Sequence, residues 1–416
     1  MTAYIALGLF RDGLFSATAS GFAGFAAFIA AGFAGMFVGT LVFGFVSDRF
    51  GRRATFGWSL LFYSVATVIM AFMPSAKGID GWRFLAGVGI GVQTITIDAY
   101  VSEVVPRSAR GQYIALSQAL TYTAVPVVAL LSALLVPHSF GALSGWRWVA
   151  LFGGLGALFV GPLQRGMPES PRWLESRGEN EAASAALSQI DDAWRPVAET
   201  NPTLVAVDSG GEAVSGRLRE VWNPTYRGRT VMLMIFNLVQ TVGFYGFASW
   251  IPVLLFARGV TFMHSLQYTF LMALAAPVGP VVAMYLSDAA QRKWQVVGLA
   301  CGMAALGLIF AALRAPALVV IAGVAITVTN NWFSCAFHTY QAELYPTRIR
   351  GRAIGFVYSW SRFSAIFVGF WIAATLARFG VTGVFALIAA AMLVAAGAVA
   401  FAGPLTNRIP LETIAP

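Results

Sequence analysis

Four ionisable residues, Arg83, Asp98, His338 and Arg362, fall inside long stretches that are otherwise almost free of charge. A charge in such a place is costly unless it meets a partner or a watery cavity, so each is a candidate for chemistry. A guanidinium pairs bidentately with a carboxylate, which makes Arg362 a candidate anchor for an organic anion. Its other reading is structural, paired with a neighbouring helix end or with Asp98. Asp98 could exchange protons and His338 titrates in the physiological range, so the two could couple a process to a proton gradient. A static contact is the plainer reading of each. Arg83 lies barely one turn inside the end of its stretch, where it could join that relay or simply extend toward lipid headgroups.

The elements that position these residues are apolar helices. Of 416 residues, 58% are hydrophobic and 11% are charged, the balance of a membrane chain. Full spans are expected near 22–47, 54–73, 80–104, 111–136, 146–164, 229–256, 265–287, 294–313, 316–341, 352–376 and 381–403, each long enough to cross a hydrocarbon core of roughly 30 Å. Glycines such as Gly35, Gly39, Gly87, Gly89 and Gly91 would let these helices approach closely. Within 80–104, Arg83, Gly87, Gly91, Thr94 and Asp98 recur on one helical face, and Thr327, Asn331, Ser334 and His338 form a similar stripe within 316–341. Arg362 follows Gly351 by eleven residues, roughly 17 Å of helix, and so belongs near the bilayer midplane.

The net charge of +9 could suggest nucleic acid, but the basic residues follow the positive-inside pattern instead. Alternate connections carry Arg49, Arg52 and Arg53; Arg107 and Arg110; a cluster from Arg165 to Arg229; Arg292 and Lys293; and Arg348, Arg350 and Arg352. These connections are expected on the cytoplasmic side. The only cysteines, Cys301 and Cys335, lie in predicted spans and read as small apolar groups. Neither a metal site nor a cofactor is expected, and no Walker-type phosphate loop or nucleophile triad signature is present.

Residues 165–228 interrupt the apolar pattern with ten of the eighteen acids and read as a solvated linker with a short helix near 178–193. The segments on either side repeat one another. SEVVPRSARG (102–111) returns 240 residues later as AELYPTRIRG (342–351), and GFVSDRFGRR (44–53) as MYLSDAAQRK (284–293). The expected organisation is a bundle at 1–164, a cytoplasmic linker at 165–228 and a second bundle at 229–416, related as parallel repeats of six helices each. The same register makes residues 1–10 the outer end of an incomplete first helix, from an internal start codon or a natural truncation, since ten residues rise only about 15 Å.

GFVSDRFGRR resembles the G-x-x-x-D-R-x-G-R-R loop of the major facilitator superfamily, and RFLAGVGIG (83–91) resembles its R-x-x-x-G element. The doubled E-x6-R words and PESPRWL (168–174) resemble the sugar-porter branch and its organic-acid and metabolite symporter relatives. The resemblance covers nearly the whole chain and implies an all-α membrane protein of the major facilitator fold, with a central site lined by its fourth and tenth helices. It also implies a cytoplasmic gate built from Asp48, Arg49, Arg52, Arg53, Glu103, Arg110, Glu169 and Arg172, with counterparts Asp288, Arg292, Lys293, Glu343 and Arg350. Exposed pairs contribute only ~0–1 kcal/mol each, so several could latch a face and still release it. The plainer reading of these charges is topology alone.

Against the sugar-porter pattern, Gln118, Gln240, Gly243 and Pro252 agree. Tyr245 stands where that pattern has asparagine, and Ser249-Trp250 replaces its tyrosine pair. Losing an amide and gaining aromatic surface near a buried arginine points away from a hexose and toward a small carboxylate, aromatic ones included. The expected substrate-binding residues are Arg362, Gln118, Gln240, Tyr245, Asn331 and Trp360, with Asp98, His338 and Arg83 for proton coupling; packing is the plainer role of each aromatic. The expected function is therefore proton-coupled uptake of a small organic anion by alternating access, with no enzymatic activity, by a monomer in the bacterial cytoplasmic membrane. The expected partners are the substrate, protons and the bilayer. Uptake of a sugar or another metabolite, drug or metabolite efflux by proton antiport, and a non-transporting sensor or truncated paralogue are the rival readings.

Overall fold

The computed structural model describes residues 2–15, 19–42, 46–105, 110–141, 143–200, 218–286, 290–346 and 349–406. Helices α1 (Thr2–Arg11), α2 (Ala19–Val42), α3 (Val46–Phe50), α4 (Arg52–Ala71), α5 (Ala76–Val104) and α6 (Arg110–Leu135) come first. A two-stranded ribbon, β1 (Ser139–Phe140) and β2 (Leu143–Ser144), leads to α7 (Gly145–Gly154), which continues through a 3-10 turn at Leu155–Phe159 into α8 (Val160–Gly166). The polar segment holds α9 (Pro171–Ser176) and α10 (Asn180–Thr200), so its helical content exceeds the single short helix expected near 178–193. Then follow α11 (Pro224–Ala257), α12 (Phe262–Ala273), α13 (Val278–Leu286), α14 (Arg292–Ala312), α15 (Pro316–Glu343) and α16 (Arg350–Ala402).

Among the described residues, nine helical stretches are long and apolar enough to cross a membrane. The last, within α16, covers two expected spans, because the chain turns at Gly380, whose φ of +64° suits a residue without Cβ. The expected span 80–104 lies within α5. Starts are marked locally: Ser75 caps α5 by accepting from Gly78 N, Thr261 caps α12 through His264 N, and prolines open α9, α11 and α15.

By proximity the chain forms two compact units, one of residues 1–30, 118–149 and 212–416, the other of 31–117 and 150–211. In the second, α2 lies directly on α5. A Cβ on Gly39 would strike the Val88 carbonyl, and one on Gly87 the Gly32 carbonyl, so small residues set the approach. The first unit repeats this contact 240 residues on, where a Cβ on Gly279 of α13 would strike the Val328 carbonyl of α15. Within this unit Trp146 Nε1 donates to Asp12 at 2.7 Å, and Phe25 meets the fully buried Trp250 edge-on at 5.0 Å.

The expected span 265–287 is broken between α12 and α13, at Leu274–Pro277. Pro280 has no N–H to offer the carbonyl of Ala276, which would be its helical partner. Asn331 Nδ2, from α15, donates to that carbonyl at 2.8 Å. Asn331→Ala should therefore lower stability by about 1–3 kcal/mol, as for a buried acceptor left unpaired. Adding Pro280→Ala should restore part of it by returning a backbone donor; thermal midpoints in detergent that stay unchanged, or that are not partly restored, would contradict this.

Candidate functional site

Arg362 lies on α16 among side chains from three other helices of the same unit. Its Nη1 donates to the Tyr245 hydroxyl of α11 at 3.1 Å, and its guanidinium carbon sits 5.1 Å from the centre of the Tyr358 ring, one turn earlier on α16. The Tyr358 ring meets His338 of α15 edge-on at 5.0 Å, and His338 Nδ1 lies 3.1 Å from Gln341 Nε2. Tyr122 of α6 lies near Ser334 and Cys335 of α15, Tyr245 of α11 and Tyr358 of α16. Arg362, Tyr245, Tyr358, His338, Cys335 and Tyr122 are all neither fully buried nor fully exposed. A planar cation beside a ring face and a phenol hydroxyl suits a carboxylate attached to a flat apolar body.

Of the expected substrate-binding residues, Arg362 and Tyr245 meet. Gln240 is buried and donates to Ser361 Oγ at 3.2 Å, joining α11 to α16 next to Arg362. Asn331 is committed to the break between α12 and α13. Trp360 precedes Arg362 by two residues, about 200° around the helix, and its ring adjoins Phe363 at 6.1 Å on a face that also carries the exposed Phe367 and Trp371. Gln118 is exposed on α6, one turn before Tyr122. Tyr122 escaped the sequence reading, although the repeat register points to it: residue 362 moved back by 240 is residue 122.

For the proton-coupling residues, His338 joins the Arg362 cluster, whereas the Asp98 side chain lies outside the described residues. Arg83 belongs to the other unit, where Gly32 leaves the space that its guanidinium fills. The stripe it heads faces α2 there: Gly87 and Gly91 lie against the Gly32 and Met36 carbonyls.

The charged words form a repeated pair. Arg52 Nε and Nη2 donate to Glu103 at 3.1 and 3.0 Å, and Arg292 forms an ion pair with Glu343, the same contact 240 residues on. The partner of Glu103 is thus the arginine of the preceding word; the Arg110 and Arg350 side chains lie outside the described residues. Glu169 accepts from Arg52 N at 2.8 Å and Arg53 N at 3.2 Å, a carboxylate at the amino end of α4. Gly51, at φ +91°, leaves room for it. Arg177 donates to the Arg49 carbonyl, and Lys293 lies over the Trp294 ring at 5.1 Å. The side chains of Asp48 and Arg172, and all of Asp288, are outside the described residues. Tyr100 donates to the Pro168 carbonyl and Tyr340 to that of Pro404, another matched pair. Beyond α15, the Tyr345 hydroxyl lies 2.9 Å from Thr230 Oγ1, and burial pushes its phenol above the ordinary value.

Residues 17–416 match the family model described as sugar (and other) transporter, and the chain belongs to that family. It is similar to YyaJ of Bacillus subtilis (strain 168), a metabolite transport protein by provisional name, at 31% identity over 91% of this chain and 83% of that protein. It is 29% identical to the niacin transporter NiaP of Acinetobacter baylyi over 93% of this chain and 86% of that protein. A solved structure of the Escherichia coli xylose transporter XylE, partially occluded and inward open, matches with a TM-score of 0.76 and 19% identity over 98% of this chain and 95% of that one. The fold is that of the major facilitator superfamily, and the protein is an integral membrane transporter rather than an enzyme.

The two repeated ion pairs are largely shielded, their side chains 11–18% exposed. Removing one member, by Glu103→Gln or Glu343→Gln, should cost about 1–3 kcal/mol because its partner keeps an unmatched charge. The double changes Arg52→Gln/Glu103→Gln and Arg292→Gln/Glu343→Gln should recover part of that, and additive losses in thermal unfolding would argue against coupling.

Proposed function

We propose that the protein carries a small organic anion, an aromatic monocarboxylate, inward across the bacterial cytoplasmic membrane together with protons. The observation that supports this reading most is the placement of Arg362 between the Tyr245 hydroxyl and the Tyr358 ring. A guanidinium so held binds a carboxylate as a fork, and the rings accept the flat remainder. The niacin transporter among the relatives handles a pyridine carboxylate, which is in keeping with that chemistry. Gln240, the amide that would otherwise face a sugar hydroxyl, is instead taken up by Ser361.

In this reading the bundles 1–164 and 229–416 rock about the site, and the segment 165–228 stays in the cytoplasm. Arg52–Glu103 and Arg292–Glu343 steady the cytoplasmic helix ends as they do so. Asp98 and His338 are the groups proposed to exchange protons; protonation of His338 would add a second cation near Arg362.

Labelled nicotinate and benzoate should accumulate in proteoliposomes under an inward proton gradient and lose that accumulation with an ionophore. Arg362→Gln should reduce kcat/KM by about 10–100-fold, the loss of a charge-assisted pair, at unchanged thermal stability. Unaltered uptake in that variant would refute the anion site. Cys335 offers a second readout: with Cys301→Ser in place, a negatively charged thiol reagent should label it, and nicotinate should slow the labelling.

A further inference from the structure

Gln341 follows His338 by one turn of α15, on the same side of the helix, and is 1% exposed. Its Nε2 lies 3.1 Å from His338 Nδ1. Other sides of the imidazole meet hydrocarbon: the Phe337 ring at 4.2 Å between centroids and the Tyr358 ring at 5.0 Å. An amide nitrogen only donates, so Nδ1 accepts, and a neutral imidazole then carries its proton on Nε2. The other end of the same amide is unused. Gln341 Oε1 is buried and has no hydrogen-bond partner among the described residues. A buried acceptor left that way calls for a reason.

We propose that Gln341 is the positioning residue for proton exchange at His338, its amide turning end for end so that N–H donates to the neutral imidazole and Oε1 accepts from the imidazolium. The proposal rests on the proton-coupling reading of His338 given above. In the neutral state the Nδ1 lone pair is tied to the amide N–H. When the amide turns, a proton from hydronium adds to that lone pair, and the new Nδ1–H donates to Oε1. On release the N–H bond breaks, the proton passes to water, and the amide turns back. One side chain thus partners both charge states, which neither a leucine nor a carboxylate would do: the first offers no acceptor to the cation, and the second holds the proton in place.

The repeat supports a role beyond packing. Residue 341 moved back by 240 is Val101, and His338 answers to Asp98 in the same way, so the first repeat fills the place of the amide with an apolar side chain. The charged and titratable groups around the imidazole are Arg362 and Tyr358 of α16, Tyr245 of α11 against Arg362, Tyr122 of α6, and Cys335 one turn earlier on α15. Farther along α15, Glu343 pairs with Arg292 of α14, and Arg229 of α11 donates to the Leu344 carbonyl. The Gln341 amide oxygen is therefore a neutral acceptor placed within one rotation of Nδ1.

The test uses the purified full-length protein, without a histidine tag, labelled with 15N-histidine. The chain has three histidines, so His138→Gln/His264→Gln leaves His338 as the single imidazole signal. The 15N shifts report both its tautomer and its titration. Neutral His338 should be the Nε2–H form when Gln341 is present. Gln341→Leu should move the titration to lower pH and Gln341→Glu to higher pH, each by at least about one unit, a tenfold change in proton affinity. Gln341→Met gives the apolar comparison at similar volume should the leucine variant fail to fold. The pH profile of proton-driven nicotinate uptake in proteoliposomes should move in the same directions. A neutral wild type carrying its proton on Nδ1 overturns the proposal, as does a titration that coincides with the wild type in the apolar and glutamate variants, the pattern of a purely structural glutamine. Titrations that move while the uptake profile stays fixed would instead strike the coupling reading of His338, so the two failures are told apart.

Discussion

A hydrocarbon slab offers polar groups no partners, and that constraint governs where every donor, acceptor and charge of this chain ends up. Among the described residues, several hydroxyls in the spans return to their own helix: Thr67, Thr94, Thr96, Thr269 and Thr327 each donate to the carbonyl four residues earlier. Where proline removes a backbone donor, a neighbouring helix replaces it, as Asn331 does for the Ala276 carbonyl. At the end of α14 the guanidinium of Arg258 gathers the carbonyls of Phe310, Ala311 and Leu313. Arg362 differs from all of these. A phenol hydroxyl and a ring face are among its contacts.

The duplication solves the same structural problems twice. Gly39 on Val88 and Gly279 on Val328 bring the second helix of each repeat against the fourth, and Arg52–Glu103 and Arg292–Glu343 pair matching helix ends. Tyr100 and Tyr340 each hold the segment that follows the last helix of their repeat. The repeats also diverge. Gly91 lies against the Met36 carbonyl, while at the matching place Asn331 donates to Ala276 across a broken helix. Tyr122 answers to Arg362.

Much of this was legible in the sequence, because helix length, charge placement and the 240-residue register are one-dimensional signals. The spans, the all-α major facilitator fold and the repeat were readable that way, and Arg362 and Tyr245 both stood among the expected site residues, though not as partners. The partner of Glu103 was not, since Arg52 reaches it from a different helix end and only space brings them together. Asn331 looked like a ligand residue because a polar stripe does not reveal which neighbour lacks a donor; the paired prolines at 277 and 280 held that clue. Trp360 faces nearly opposite to Arg362, which simple helical geometry already gives. The place of Tyr122 was reachable by carrying Arg362 back through the 240-residue register.

The central claim is that Arg362 recognises a negative charge on a small aromatic ligand. Titration calorimetry of the wild-type protein with matched acid and amide pairs, nicotinate with nicotinamide and benzoate with benzamide, addresses it without altering a residue. The shapes are nearly identical and only the charge differs. The account predicts that the carboxylates bind at least about tenfold more tightly, the consequence of a charge-assisted pair with the guanidinium. Equal affinity for acid and amide would contradict it.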